Sequence, residues 1–175
     1  MSEETEKILE EVFTLYKTLE KWCKEFEISG FELPPAYGNL GGLRNILRND
    51  IADYMAYLSI SDGQIGENEV ALLNLITGYN TDVDSIMAII KQREIYSTSF
   101  EETVPLIVKI MRVADSEIAR SIDTSLEGAT LLSEKCFLLY KYVGALLIAF
   151  DGVTDTEIEN YNMFMDMLSE YIYGI

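Results

Sequence analysis

The chain has 175 residues, with 13 basic and 30 acidic side chains and a formal net charge of −17. Apolar residues make up 49% of it, which favours a folded core over disorder. Phosphate backbones and anionic lipids repel so acidic a chain, which argues against nucleic-acid and membrane-surface roles. The absence of histidine excludes Ser-His-Asp triads, Cys-His pairs and metal sites that require imidazole.

Cysteine use and the opening residues indicate the compartment. Cys23 and Cys136 are the only cysteines, and each lies in an apolar helical pattern, so both are predicted to be buried free thiols. The chain opens with acidic residues instead of the basic start of a secretory signal. Its most apolar stretch is shorter than the roughly 20 residues of a membrane span. We therefore expect a cytoplasmic protein with no membrane span.

The first predicted element is a long N-terminal amphipathic helix over residues 1–28, beginning near Glu3. Its apolar side chains recur at steps of three and four, which is typical of one buried helix face. They are Ile8, Val12, Leu15, Leu19, Trp22 and Phe26. A proline- and glycine-rich loop over residues 29–42 follows. Because 28 residues are too few for a domain, we interpret residues 1–175 as a single domain.

Six further helices are predicted from periodicity, caps and turn signals. In chain order they cover residues 43–60, 67–77, 81–93, 103–118, 129–150 and a final helix from 154. Gly78 is placed to end the third helix, and Thr81 to cap the fourth. No segment shows sustained strand alternation. The predicted fold class is an all-α, compact bundle of about seven helices, with residues 121–128 as a loop.

Two helix starts carry capping signals of unequal clarity. Thr154 and Glu157 form a clean capping box before the last helix. The start of the fifth helix stays open between two positions. Ser99 begins a capping-box pattern, but proline belongs in the first turn of a helix, and Pro105 lies six residues later. That spacing favours a start nearer Thr103.

Two of the predicted helical hairpins share an Asp-Gly turn. Residues 56–70 read AYLSISDGQIGENEV and residues 145–158 read ALLIAFDGVTDTEI, a match open to both duplication and chance. The stretches 49–90 and 142–175 contain no Lys or Arg and hold 13 of the 17 net negative charges. Hairpins packed side by side would form a strongly negative surface that attracts cations or a basic partner. The alternative is a solvated face that confers solubility.

The segment ISDGQIGENEV at residues 60–70 resembles the signature of the TerB-like superfamily, which is related to bacterial tellurite-resistance proteins. In that signature an apolar helix ends in a small residue and Asp-Gly, followed by an apolar residue and then by Glu. Ser61 stands here in place of the usual alanine. The resemblance implies a compact helical bundle associated with bacterial stress response, with metal-ion interaction as a candidate property. It does not imply an enzyme.

The same segment matches the second half of an EF-hand loop, in which Glu69 takes the position of the bidentate calcium ligand. Leu58 and Ile60 occupy the positions of the two leading oxygen ligands, so a normal EF-hand is not expected. In the structural alternative, acids in the first turn of a helix complement its dipole. A site made only of oxygen ligands would select calcium or magnesium. The candidate ligands are Asp62, Glu69, Asp151, Asp155 and Glu157.

Pairs of tyrosines lie within two of the predicted helices. Tyr54 with Tyr57 and Tyr140 with Tyr142 are expected to be partly buried with their hydroxyls at the surface. An aromatic face that binds a partner is the alternative.

The sequence as a whole favours a non-catalytic acidic interaction module of the cytoplasm with no cofactor. The resemblance to the TerB-like superfamily implies a stress-related system in bacteria. The expected partner of the module is a basic protein. The competing hypothesis is a regulatory protein that binds calcium or magnesium at the acidic hairpin loops. A hydrolase or lyase that uses paired carboxylates has the least support, because no pair is marked by an apolar pocket pattern.

Overall fold

A computed structural model describes residues 2–29, 42–59, 65–95, 104–121, 131–151 and 154–174. Within these ranges the secondary structure consists of seven α-helices, with no β-strand. They are α1 (Glu3–Ser29), α2 (Leu43–Ser59), α3 (Glu67–Thr77), α4 (Val83–Ile95), α5 (Leu106–Ser121), α6 (Leu132–Asp151) and α7 (Asp155–Tyr173). The predicted all-α bundle is confirmed. Most of the predicted loop over 29–42, the Asp62-Gly63 turn and most of the loop over 121–128 lie outside the described residues.

The central element of the bundle is α6, which packs against α1, α2, α5 and α7. A helix with neighbours on several sides needs apolar residues around most of its circumference. The sequence of α6 supplies them, and its fully buried side chains include Leu139, Val143 and Leu146. Side chains from all seven helices join the same hydrophobic cluster.

Helix α1 buries one stripe against α6 and α2, as predicted, with one difference. Val12, Leu19 and Phe26 are buried, but Trp22 is 37% exposed. Cys23 is fully buried in its place. The buried positions are four residues apart from Leu19 to Cys23 and three residues apart from Cys23 to Phe26, which keeps them on one helix face. Trp22 instead lies at the rim, with its ring centroid 5.6 Å from that of Phe26.

Three aromatic rings form the centre of the core. Tyr54 of α2 stacks on Phe164 of α7 with ring centroids 4.4 Å apart, and meets Tyr140 of α6 edge-on at 5.0 Å. Both tyrosines are fully buried, so the prediction of surface hydroxyls is wrong for them. Burial holds the pKa of each phenol well above its usual value. Gly144 permits this packing, because a Cβ there would lie 2.5 Å from the Tyr161 ring and the Tyr54 hydroxyl.

The α3–α4 connection confirms one predicted cap and corrects another. Gly78 ends α3 in the left-handed region at φ 70°, as predicted. The cap of α4 is Asp82, whose carboxylate accepts a hydrogen bond from the Ser85 amide at 2.7 Å. Hydrogen bonding from the Ser85 side chain, and then from this amide, lowers the pKa of Asp82. Thr81, the predicted cap, instead pairs through its backbone with the side chain of Asn74.

The start of α5 is set by a residue from another helix. The helix begins at Leu106, immediately after Pro105, which agrees better with the start near Thr103 than with Ser99. Residues 96–103 lie outside the described residues. The carboxylate of Asp50 in α2 accepts a hydrogen bond from the Ile107 amide at 2.7 Å. It therefore satisfies one of the amides that a helix start leaves without a partner.

The start of α6 is set in the same way and corrects the prediction. The sequence favoured a helix from residue 129, but Leu131 is not helical and α6 begins at Leu132. The buried Asp115 of α5 accepts hydrogen bonds from the amides of Leu132 at 2.7 Å and Ser133 at 3.1 Å. The Ser133 hydroxyl donates to the same carboxylate at 2.5 Å. These contacts fix the first helical residue from outside the helix.

Candidate functional site

The first helical corner lies where the α2–α3 hairpin turns into α3. Ile65 packs into the core just before the helix, and Gly66 is the N-cap residue. The buried carboxylate of Glu69 accepts a hydrogen bond from the Gly66 amide at 2.6 Å. Glu67, two residues earlier, points to solvent. Glu69 thus holds the helix start, which is the structural alternative that the sequence offered.

The second corner, where the α6–α7 hairpin turns into α7, has the same glutamate-to-amide contact and adds a reciprocal one that Gly66 cannot make. The Glu157 carboxylate accepts from the Thr154 amide at 2.9 Å, and the Thr154 hydroxyl accepts from the Glu157 amide at 3.3 Å. This is the predicted capping box. Asp155 lies beside it and is exposed. In both corners the glutamate three residues after the N-cap is fixed against its own helix, with an exposed acid next to the cap.

The two corners lie next to each other in the bundle. One cleft is lined by side chains from the end of α2, the start of α3, the end of α6 and the start of α7. Its lining residues are Leu58, Ser59, Glu69, Leu147, Ile148 and Glu157. The structure therefore brings two of the predicted site residues, Glu69 and Glu157, to the same place. We define the corner surface as this cleft with the exposed Glu67 and Asp155 beside it.

The remaining predicted ligands do not complete a metal site within the described part of the chain. Asp62 lies outside the described residues, and Asp151 is the last helical residue of α6, with a side chain that is not described. Among the residues whose side chains are described, no three His, Cys, Asp or Glu form a group that could hold a metal ion. The metal hypothesis thus stays a prediction that depends on Asp62 and Asp151.

Acids that sequence reasoning did not single out have structural roles. Asp50 and Asp115 cap α5 and α6, and Glu27 of α1 accepts from the backbone amide of Arg44 at 3.1 Å, at the start of α2. The Arg44 guanidinium also pairs with Glu27 at 2.9 Å. In each case the carboxylate and the amide are 17 or more residues apart. No local spacing motif could have revealed these pairs.

The two cysteines are buried free thiols, as predicted. Burial raises the pKa of Cys23 to about 12 and holds that of Cys136 well above its usual value. A thiol attacks as the thiolate, so burial makes both side chains poor nucleophiles at neutral pH.

Comparisons with protein-family models, curated proteins and solved structures found no match to this chain. Among the described helices, none is both long and apolar enough to cross a membrane.

Proposed function

We propose that this chain is a non-catalytic interaction module whose corner surface binds a basic partner protein. The observation that carries the proposal is that Glu69 and Glu157, from hairpins 88 residues apart in the sequence, line one cleft. Their hairpins belong to the two stretches that contain no Lys or Arg. Acids concentrated in stretches without basic residues produce a negative potential, which attracts a cationic partner and speeds its association.

The cap hydrogen bonds support a binding role because they fix the geometry of the surface. Glu69 and Glu157 are each held against a backbone amide, so their positions do not depend on a partner. The exposed Glu67 and Asp155 then contact the partner first. A surface ordered in advance loses less conformational entropy when it binds.

A carboxylate pair beside apolar walls is also an arrangement of acid–base catalysts, so the enzyme hypothesis has to be weighed at this cleft. Here each glutamate is already held by the backbone amide of its own N-cap residue, which gives both carboxylates a structural role at a helix start. The arrangement supports a fixed acidic surface better than an acid–base pair.

The wider setting of the proposal comes from the resemblance to the TerB-like superfamily. We infer a role in a stress-related system of the bacterial cytoplasm, with the seven described helices compatible with that superfamily's helical fold. The alternative function is a calcium- or magnesium-binding regulator. It is favoured by the convergence of oxygen ligands from both hairpins on one cleft.

Calorimetric titration separates the two functions. With oligolysine as the probe, we expect saturable binding that weakens as salt concentration rises. Replacing the two exposed acids, Glu67→Gln with Asp155→Asn, should weaken it about 3- to 10-fold, since each exposed ion pair contributes a fraction of a kcal/mol to about 1 kcal/mol. A matched control, Glu10→Gln with Glu25→Gln on exposed positions of α1, should leave it nearly unchanged.

Equal weakening by both double variants would show that only net charge matters and would contradict the proposal. A calcium titration with saturable heat at micromolar concentrations, abolished by Asp62→Asn with Glu69→Gln, would establish the regulator instead.

A further inference from the structure

Helix α7 presents an exposed acidic face on the side away from the core. This helix buries Phe164, Leu168 and Ile172, and packs against α6 and α2. On another side it presents four exposed residues at positions i, i+4, i+7 and i+11, which share one helix face. They form what we term the acidic stripe: Glu159, Met163, Asp166 and Glu170.

The acidic stripe lowers the stability of its own helix. Asp166 and Glu170 are like charges four residues apart, a spacing at which they repel. Glu170 also lies in the last turn, where the helix dipole disfavours an acid, and no basic residue compensates there. Met163, which lies between Glu159 and Asp166 in the stripe, is 53% exposed. A stripe that is unfavourable within the monomer is stabilised when cations from another molecule cover it.

The chain carries a stripe of opposite charge on α1. Its members are exposed and have the same i, i+4, i+7, i+11 spacing, so they also share one helix face. They form the basic stripe: Lys17, Lys21, Lys24 and Ile28. Ile28 is 70% exposed. Each stripe therefore has three like charges and one exposed apolar side chain over about 16 Å of helix.

The two stripes do not neutralise each other within one molecule. Helices α1 and α7 both pack on α6 but not substantially on each other. In the described part of the chain, the ion pairs are Lys7 with Glu3 and Arg44 with Glu27, and none of the six stripe charges takes part in one.

We propose that the acidic stripe of one molecule docks on the basic stripe of a second copy. In an antiparallel arrangement the shared spacing places Asp166 opposite Lys21 and Glu170 opposite Lys17, as the flanking charges of coiled coils do. The two exposed apolar side chains, Met163 and Ile28, then lie opposite Lys24 and Glu159. The net charge of −17 opposes association, but at physiological ionic strength charges more than about 8 Å apart are largely screened. Whether two copies associate therefore depends on the short-range contacts between the acidic stripe of one and the basic stripe of the other.

The docking uses a different surface on each copy, so it is heterologous and leads to rings or open chains. The interface is small and made largely of exposed ion pairs, and we expect a dissociation constant on the order of 0.1–1 mM. The inference is independent of the proposed function, because it does not involve the corner surface.

The test uses two charge-reversed chains and sedimentation equilibrium up to about 1 mM protein, where such an affinity is visible. The first chain reverses the acidic stripe: Glu159→Lys, Asp166→Lys and Glu170→Lys. The second reverses the basic stripe: Lys17→Glu, Lys21→Glu and Lys24→Glu. A control chain makes the same charge change as the first at exposed positions outside both stripes and outside the corner surface: Glu4→Lys, Glu11→Lys and Asp84→Lys.

We expect the average mass of the original chain to rise above 19.9 kDa with concentration. Each reversed chain alone should stay at monomer mass, and an equal mixture of the two should associate again, because each stripe then meets its opposite. The control chain should associate at least as well as the original. Circular dichroism verifies that every chain is folded. An original chain that stays monomeric at about 1 mM, or reversed chains that fail to associate when mixed, would overturn the inference.

Discussion

The starts of α6 and α7 are both held by carboxylates, but the two carboxylates come from different places. At α7 the Glu157 side chain reaches back three residues to the Thr154 amide, at the surface. At α6 the carboxylate belongs to Asp115 of α5, which is 7% exposed and accepts three hydrogen bonds. The first arrangement holds one helix end. The second also joins two helices, so we expect its loss to affect the whole bundle.

The largest effect is expected from Asp115→Ala. It leaves two buried backbone amides and one hydroxyl without their acceptor, which should lower the free energy of unfolding by about 3–4 kcal/mol. Urea denaturation followed by circular dichroism measures this. Asp115→Asn keeps one acceptor oxygen and should lose roughly half as much. Equal losses for both variants would show that charge, not hydrogen bonding, explains the role of Asp115.

A smaller effect is expected from Asp50→Ala. Asp50 is half-buried and caps α5 from α2 through the Ile107 amide. Its removal should cost about 1–2 kcal/mol of unfolding free energy. In the Asp50→Ala variant, the rate of hydrogen exchange at the Ile107 amide should increase by more than the rates at the amides in the first turn of α7. Unchanged exchange at Ile107 would contradict the assigned cap.

The local cap should matter less. Glu157→Ala removes one half of a partly exposed capping box, and we expect a loss of about 0.5–1 kcal/mol in the same urea experiment. Glu157→Gln can still accept from the Thr154 amide and serves as its control. A loss from Glu157→Ala as large as that from Asp115→Ala would remove the distinction between local and remote caps.

The smallest effect concerns Asp82, which is fully exposed and caps α4 locally. Its pKa is lowered from 3.8 by the hydrogen bond from Ser85, so its contribution to stability is present above that pH. The contribution is lost as pH falls through the lowered pKa. The difference in stability between the original chain and Asp82→Asn should therefore shrink in acid. A difference that grows on acidification would contradict the assigned cap.

The sequence predicted what depends on neighbouring residues and missed what depends on distant ones. The bounds of α3 and the capping box at Thr154 rest on signals within a few residues, and both were right. The starts of α5 and α6 depend on Asp50 and Asp115, whose partners are 57 and 17 residues away. Exposure of Trp22 at the rim of the buried α1 face likewise depends on the angle at which α1 meets its neighbours.

The candidate site shows the same division. Charge counting indicated that the two hairpins would form an acidic surface if they packed side by side, and the structure brings Glu69 and Glu157 to one cleft. The sequence could not show that these two glutamates cap their own helices while Glu67 and Asp155 stay exposed. The hydrogen-bond geometry of each corner is needed to tell a fixed acid from an exposed one.

The claim that the two corners act as one binding surface is tested most directly by a nuclear magnetic resonance titration with oligolysine. The amides of Gly66, Glu67, Thr154 and Asp155 report on the corners, and those of α1 serve as the reference. We predict that both corners shift together, with one shared dissociation constant, and that α1 shifts little. Shifts at one corner alone, or shifts spread evenly over all acidic segments, would contradict it.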